Sequence, residues 1–199
     1  MTTAPSRKIL SDAASFILDR WSPRAFEAAP ITQSELLALL EAGRWAPSAY
    51  NNQPWRFIYA RRDTPEWERF VSWLIPFNQS WASNASALVY IASHTVTVSS
   101  SSPEPRPAPT HAFDTGAASM LIQLQALQAG WATHPVSGFD AELARAGLEL
   151  PEEYALHAAL VIGKQGDANI LPEGIREREV PSERTELVKL SFEGRFISQ

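Results

Sequence analysis

Residues 87–93 read ALVYIAS, an apolar run without a single charge. A strand with one wet face alternates apolar and polar side chains, so an unbroken run reads as a strand covered on both faces. ALHAALVIG, residues 155–163, has the same character. Between the two, Ala117, Met120, Leu121, Leu124 and Leu127 recur at the helical period from Asp114 to Ala129, and Gly130 stands where that helix can end. This order of short strands and helices predicts an α+β fold rather than strict βαβ winding.

The remaining elements follow from local chemistry. Ser11 to Asp19 predicts a short helix with Ser11 or Asp12 as its cap. Thr32-Gln33-Ser34-Glu35 has the form of a capping box, and Leu36, Leu37, Leu39 and Leu40 fill the helix behind it. That helix should stop near Trp45, because Pro47 disfavours helical geometry in the residue before it. WRFIYAR alternates like a strand. PEWERFVSWL places Trp67, Phe70, Val71 and Leu74 on one helical face behind Pro65, and DAELARAG predicts a further short helix. Residues 95–110, TVTVSSSSPEPRPAPT, are of low complexity and predict a mobile loop that adds little core. The tail from Lys164 is charged and interrupted by proline, as expected of an arm that wraps over other structure. The expectation is a single domain over 1–199, with the loop at about 95–110 and the arm at about 165–199.

Composition excludes several classes. A net charge of −5 over 199 residues gives no basic footprint for nucleic acid. The absence of cysteine removes disulfides, thiolate metal sites and thiol catalysis. No apolar run is long enough to span a bilayer, and the first residues lack the apolar core of a signal peptide, so no membrane is expected and a cytoplasmic location is. His94, His111, His134 and His157 show no metal-ligand spacing, and no GxSxG, P-loop or GxGxxG motif occurs. Seven tryptophans exceed what a core of this size usually uses, which points some of them to an interface or a pocket.

Three segments carry candidate chemistry. RWSPR sets Arg20, Ser22 and Arg24 in a proline-constrained loop, which suits either a solvated turn or a phosphate; Arg184, in PSERTEL, is a third cation if the tail folds back. APSAYNNQPW places Asn51, Asn52 and Gln53 between Trp45 and Trp55. Side-chain amides serve turns, and they also read the mixed donor and acceptor edge of a flat heterocycle. PVSGF joins an extended segment to a helix through Gly138, where a backbone can approach a ligand closely.

Taken in order, RWSPRAF, APSAYNNQPWRF, FNQSWASNASALVYIAS, DTGAASMLIQLQALQAGW, PVSGF and SER…EGRF resemble the FMN-dependent nitroreductase family over nearly the whole chain. The resemblance implies a mixed β-sheet flanked by helices, in an intertwined homodimer with FMN at the subunit interface and the C-terminal arm around the partner. Arg20 and Ser22, with Trp21 between them, match the segment that holds the FMN phosphate, and Arg24 matches a basic residue near the ribityl and pyrimidine end. Pro47, Ser48 and Ala49, with Asn51 in the same motif, match a segment that contacts FMN bound mainly to the other subunit. Asn78 matches an asparagine at the pyrimidine edge, and Asp114 falls where the family has a polar residue at the start of the long helix. Ser137 and Gly138, behind Pro135, match the pair whose backbone approaches flavin N5, so no side chain is expected to be catalytic. Arg184 matches the C-terminal arginine on the phosphate.

There are departures. Ser137 stands where some members have Glu, Trp81 where some have a basic residue, and Ser182 where some have a second C-terminal cation; Arg178 and Arg195 are the candidates to replace it. The implied activity is NAD(P)H-driven ping-pong reduction of a nitroaromatic, quinone or similar small acceptor. The alternatives are the same flavin fold with another chemistry (dehalogenation, flavin fragmentation or substrate dehydrogenation), or a flavin-binding protein without catalysis.

Overall fold

In the computed structural model, which describes residues 13–99 and 102–198, β3 (Ala87–His94) is buried at every position from Ala87 to Ser93. β2 (Trp55–Arg61) pairs along one edge of it and β7 (Tyr154–Gln165) along the other. β6 (Ala132–Val136) lies on the far side of β7, and β1 (Phe26–Glu27) pairs with the end of β7. Every pairing among the described residues is antiparallel, so the mixed sheet implied by the resemblance is, within this chain, wholly antiparallel.

Alternation along β3 feeds two cores. Leu88 and Tyr90 join Trp67, Phe70, Trp73 and Trp81 on one face, from α3 (Trp67–Ser72), its end, and α4 (Pro76–Ala82). Ala144 of α6 (Ala141–Gly147) completes that layer. Val89 and Ile91 point the other way, into Leu36, Leu39 and Leu40 of α2 (Gln33–Arg44) and Ile122 and Ala126 of α5 (His111–Gln128). The two helices approach closely at Gly43, where a Cβ would come within 2.7 Å of Ile122 Cγ1.

Local expectations hold where the signal is short-range. Thr32 Oγ1 accepts from the Glu35 amide, the Glu35 carboxylate accepts from Thr32 N–H, and α2 ends at Arg44. Asp140 caps α6 through the Leu143 amide, and Gly130 takes φ of 73° after α5. The first helix, α1 (Ser15–Asp19), begins at an Ala14 cap; the expected caps Ser11 and Asp12 lie outside the described residues.

Two expectations change. Residues 96–107, expected as a loop, form an antiparallel ribbon of β4 (Val96–Ser99) and β5 (Ser102–Pro107), with residues 100 and 101 outside the description. β-Branched residues favour β4, and prolines 103, 105 and 107 alternate, so their missing N–H groups fall on one edge and leave the other free to pair. On α5 the core-facing set is Thr115, Ala118, Ile122 and Ala126; Leu121, Leu124 and Leu127 lie on a half-buried flank where Met120 is exposed. The helix is apolar nearly all round, so periodicity alone does not select the face. The seven tryptophans divide: five (Trp55, Trp67, Trp73, Trp81 and Trp131) are core residues, Trp21 is half-buried, and Trp45 is 72% exposed.

Beyond β7 the chain forms α7 (Glu173–Arg176) and short 3-10 turns, mostly exposed from residue 182 onward. No helix among the described residues is long and apolar enough to cross a membrane.

Candidate functional site

The RWSPR segment leaves α1 in extended geometry, Arg20 having φ −70° and ψ 119°, and enters β1 at Phe26. Proline at position 23 keeps the segment from coiling. The C-terminal segment is fastened across it by Glu179, whose carboxylate accepts from Arg24 N–H at 2.8 and 3.0 Å and from Ala25 N–H at 2.8 Å. One acid thereby satisfies two consecutive amides and fixes where Arg178 and Arg184 can lie.

Between the two segments is a cavity of about 200 Å³ walled by Arg20, Trp21, Ser22, Arg24, His134, Arg178, Val180, Ser182 and Arg184. The expected residues from both ends of the chain therefore meet. Of the two candidates to replace a cation at Ser182, Arg178 reaches the cavity; Arg195 is exposed and does not line it. Arg20 Nη1 donates to Ser22 Oγ at 3.3 Å, and Arg184 Nη1 donates to Ser182 Oγ at 2.6 Å. Arg24 Nε is buried without a hydrogen-bond partner among the described residues. A buried donor left unmatched in a wall of four guanidinium groups fits an oxyanion, above all a dianionic phosphate.

His134, marked in the sequence only by its lack of metal-ligand spacing, forms the inner wall. Its Nδ1 donates to the Pro23 carbonyl at 2.9 Å, and its ring lies 4.8 Å from that of Trp81. Burial lowers its pKa to about 4; the Pro23 bond opposes this, and the positive charge of Arg24 and Arg20 adds to it. Trp81 thus replaces a cation with a wall for the imidazole. The signal for His134 was its place just before PVSGF, but only β6 pairing turns it toward the arginines.

Asn78 and PVSGF meet on the next side. Asn78 is 6% exposed and donates from Nδ2 to the Gly138 carbonyl at 2.9 Å, which also accepts from Ile75 N–H at 3.1 Å. A Cβ on Gly138 would fall 2.6 Å from Asn78 Nδ2, so this close approach requires glycine. Pro135 and Ser137 are exposed beside it.

The third group stands apart from that cavity. Pro47 and Asn51 are exposed, Ser48 and Ala49 half-buried, and Asp114 Oδ2 accepts from Ala49 N–H at 3.1 Å. Tyr50, Asn51 and Gln53 have φ of 51°, 55° and 48°, left-handed values unusual for residues other than glycine. Tyr50 is 98% exposed. The loop thus presents Tyr50 and Asn51 outward and is held by the buried aspartate at the start of α5.

The chain is therefore an α+β protein in which segments from both ends wall a cationic, partly buried cavity. The nitroreductase family model matches residues 17–164. A solved oxidoreductase containing FMN is 41% identical, with each chain fully covered and a TM-score of 0.95. YdgI of Bacillus subtilis, by its name an NAD(P)H nitroreductase, is 27% identical over 79% of this chain and 90% of its own. The NADH dehydrogenase of Thermus thermophilus is 27% identical over 88% of this chain and 95% of its own. The chain belongs to the nitroreductase family.

Proposed function

We propose that this protein is an FMN-dependent oxidoreductase that takes electrons from NAD(P)H and passes them to a small acceptor such as a quinone or nitroaromatic. The observation that carries the reading is the arginine cavity, in which residues from both ends of the chain surround an anion-sized space. The matched FMN-containing oxidoreductase and the nicotinamide-linked relatives agree with it.

In this reading Arg20, Arg24 and Arg184 hold the phosphate, Ser22 gives a neutral donor, and Arg178 supplies the charge that Ser182 lacks. Asn78 and the Ser137–Gly138 backbone meet the isoalloxazine ring. FMN supplies the redox chemistry, accepting a hydride and releasing it to the second substrate. Ser137 offers a neutral environment where an acid would oppose the charge of the reduced ring. Pro47, Ser48, Ala49 and Asn51 reach the cofactor of a second copy, in a homodimer. Exposed Tyr50, Phe113 and Met120 flank that loop and α5, an apolar surface of the kind a second copy covers.

Purified protein should show a flavin absorption spectrum that NADH or NADPH bleaches and a quinone restores. Apoprotein with Arg20→Ala or Arg184→Ala should bind FMN roughly 10- to 100-fold more weakly, the worth of one charge-assisted contact. Protein that is colourless and takes up no FMN refutes the reading.

A further inference from the structure

A second cavity, of about 270 Å³, lies between the β4–β5 ribbon and the start of α5. Asn52, Arg56, His94, Thr110, His111 and Asp114 form much of its wall. Asp114 joins it to the Ser48–Asn51 loop, because its carboxylate accepts from both the Ala49 amide and the Thr110 hydroxyl, the latter at 3.0 Å. The cavity thus adjoins the loop that the proposal above places against a cofactor.

Behind His111 is a cluster that no step so far uses. Ser93 is fully buried, and its Oγ lies 2.7 Å from His111 Nδ1 and 2.6 Å from His157 Nε2. His157 reaches it through a break in the β3–β7 ladder: Ile91 pairs with Ala158 and Ala92 with Leu156, so His157 is the extra residue of a bulge. A bulge gives up regular pairing and re-aims one side chain, and bulges concentrate beside active sites for that reason. A hydroxyl has one proton and cannot donate it to both imidazoles, so one ring donates to Ser93 while the other accepts from it. Burial, with His111 beside it, lowers the pKa of His157, which favours the neutral form of that ring. Arg56, His94 and Asp114 are the other titratable groups of the cavity wall.

We propose that His157, Ser93 and His111 form a proton relay to an acceptor bound in this cavity, with His111 as the donor. The proposal rests on the oxidoreductase reading. A quinone that has gained a hydride, two electrons and one proton, from the reduced flavin is a hydroquinone monoanion. Its oxygen takes the proton from His111 Nε2, and His111 Nδ1 takes the hydroxyl proton of Ser93. Ser93 takes the proton of His157 Nε2, and His157 Nδ1 takes one from water. Both imidazoles end neutral in their other tautomers, so the anion is neutralised and no charge is left on the buried rings. The quinone is reduced to a hydroquinone, the flavin is oxidised, and one solvent proton is consumed.

Two acceptors separate this relay from a packing role. 1,4-Benzoquinone needs protons, whereas ferricyanide takes electrons without them. Ser93→Ala and His157→Gln, which lie behind the cavity wall, should each lower benzoquinone turnover roughly 10- to 100-fold and leave ferricyanide turnover within about twofold. Equal losses with both acceptors, or none with either, overturn the proposal. The ¹⁵N NMR spectrum of the imidazoles gives a reading independent of turnover. In the wild-type protein, at one time, either His157 Nε2 carries a proton and His111 Nδ1 does not, or the reverse; Ser93→Ala abolishes the correlation. Tautomers unaffected by Ser93→Ala refute the relay. Wild-type protein that reduces neither acceptor refutes the oxidoreductase reading instead, and the NMR result still decides the relay.

Discussion

Gly138→Ala adds a single methyl at the point where PVSGF meets α4. The backbone at Gly138 is not left-handed, so alanine meets no conformational penalty and any effect is steric. The new Cβ would lie 2.6 Å from Asn78 Nδ2 and 2.8 Å from Ile75 Cδ1. Ile75 can turn its terminal methyl aside, but Asn78 can retreat only by giving up its 2.9 Å bond to the Gly138 carbonyl. Overpacking of this kind costs about 1–3 kcal/mol, and a chain of this size loses roughly 2–4 °C of melting temperature per kcal/mol. The expected fall is therefore about 2–12 °C, read by differential scanning calorimetry on the apoprotein. If Asn78 meets the flavin as proposed, FMN affinity also falls, by more than Asn78→Ala alone would cause, because the methyl narrows the same cleft. Gly174→Ala is the control, since nothing lies within 4 Å of a Cβ at that position. A melting temperature within about 1 °C of wild type, below the smallest shift expected of overpacking, with unchanged FMN affinity, would show that the close contact is not a constraint.

Three further outcomes are expected. Glu179→Ala leaves the Arg24 and Ala25 amides unpaired and releases the segment that carries Arg178 and Arg184. It should destabilise by about 2–4 kcal/mol in urea melts and weaken FMN binding, whereas Glu179→Gln should recover part of both losses. His134 has a folded pKa of about 4 against 6.5 for the free side chain, so between these values the unfolded chain binds a proton that the native protein excludes. Stability is then fully present above pH 6.5 and is lost as pH falls toward 4, by about 3 kcal/mol in all. His134→Gln should flatten that window in urea midpoints measured across it, and an unchanged slope would refute the assignment. Tyr50→Gly should relieve a left-handed residue, raising monomer stability by about 1 kcal/mol, while in the proposed homodimer the loss of a ring that is 98% exposed weakens association in sedimentation equilibrium.

The features legible from sequence are those set by short-range chemistry. Thr32 and Glu35 specify a cap because the partners are three residues apart, and Pro47 ends α2 through a clash with its immediate neighbour. The charge-free run of β3 reads as a strand covered on both faces because apolar surface must be removed from water; in β7 the same reading holds only from Ala159 to Gly163, residues 155–158 being half-buried. The meeting of Arg20, Ser22 and Arg24 with Arg184 was legible only through the resemblance, for nothing local in RWSPR or PSERTEL says that the two approach.

What tertiary structure alone decided depends on long-range register. Glu179 is an ordinary charge in a polar tail until the β1–β7 pairing brings Arg24 and Ala25 beside it. His134 becomes a wall of the arginine cavity because β6 turns it toward Pro23. Val96–Ser99 and Ser102–Pro107 pair as a ribbon although their composition reads as loop, since pairing depends on the partner strand as much as on intrinsic preference. His157 lies within a continuous apolar run that gives no hint of a bulge. A one-residue slip between β3 and β7 aims it at Ser93, because side chains change face with every residue and register is set by the whole sheet.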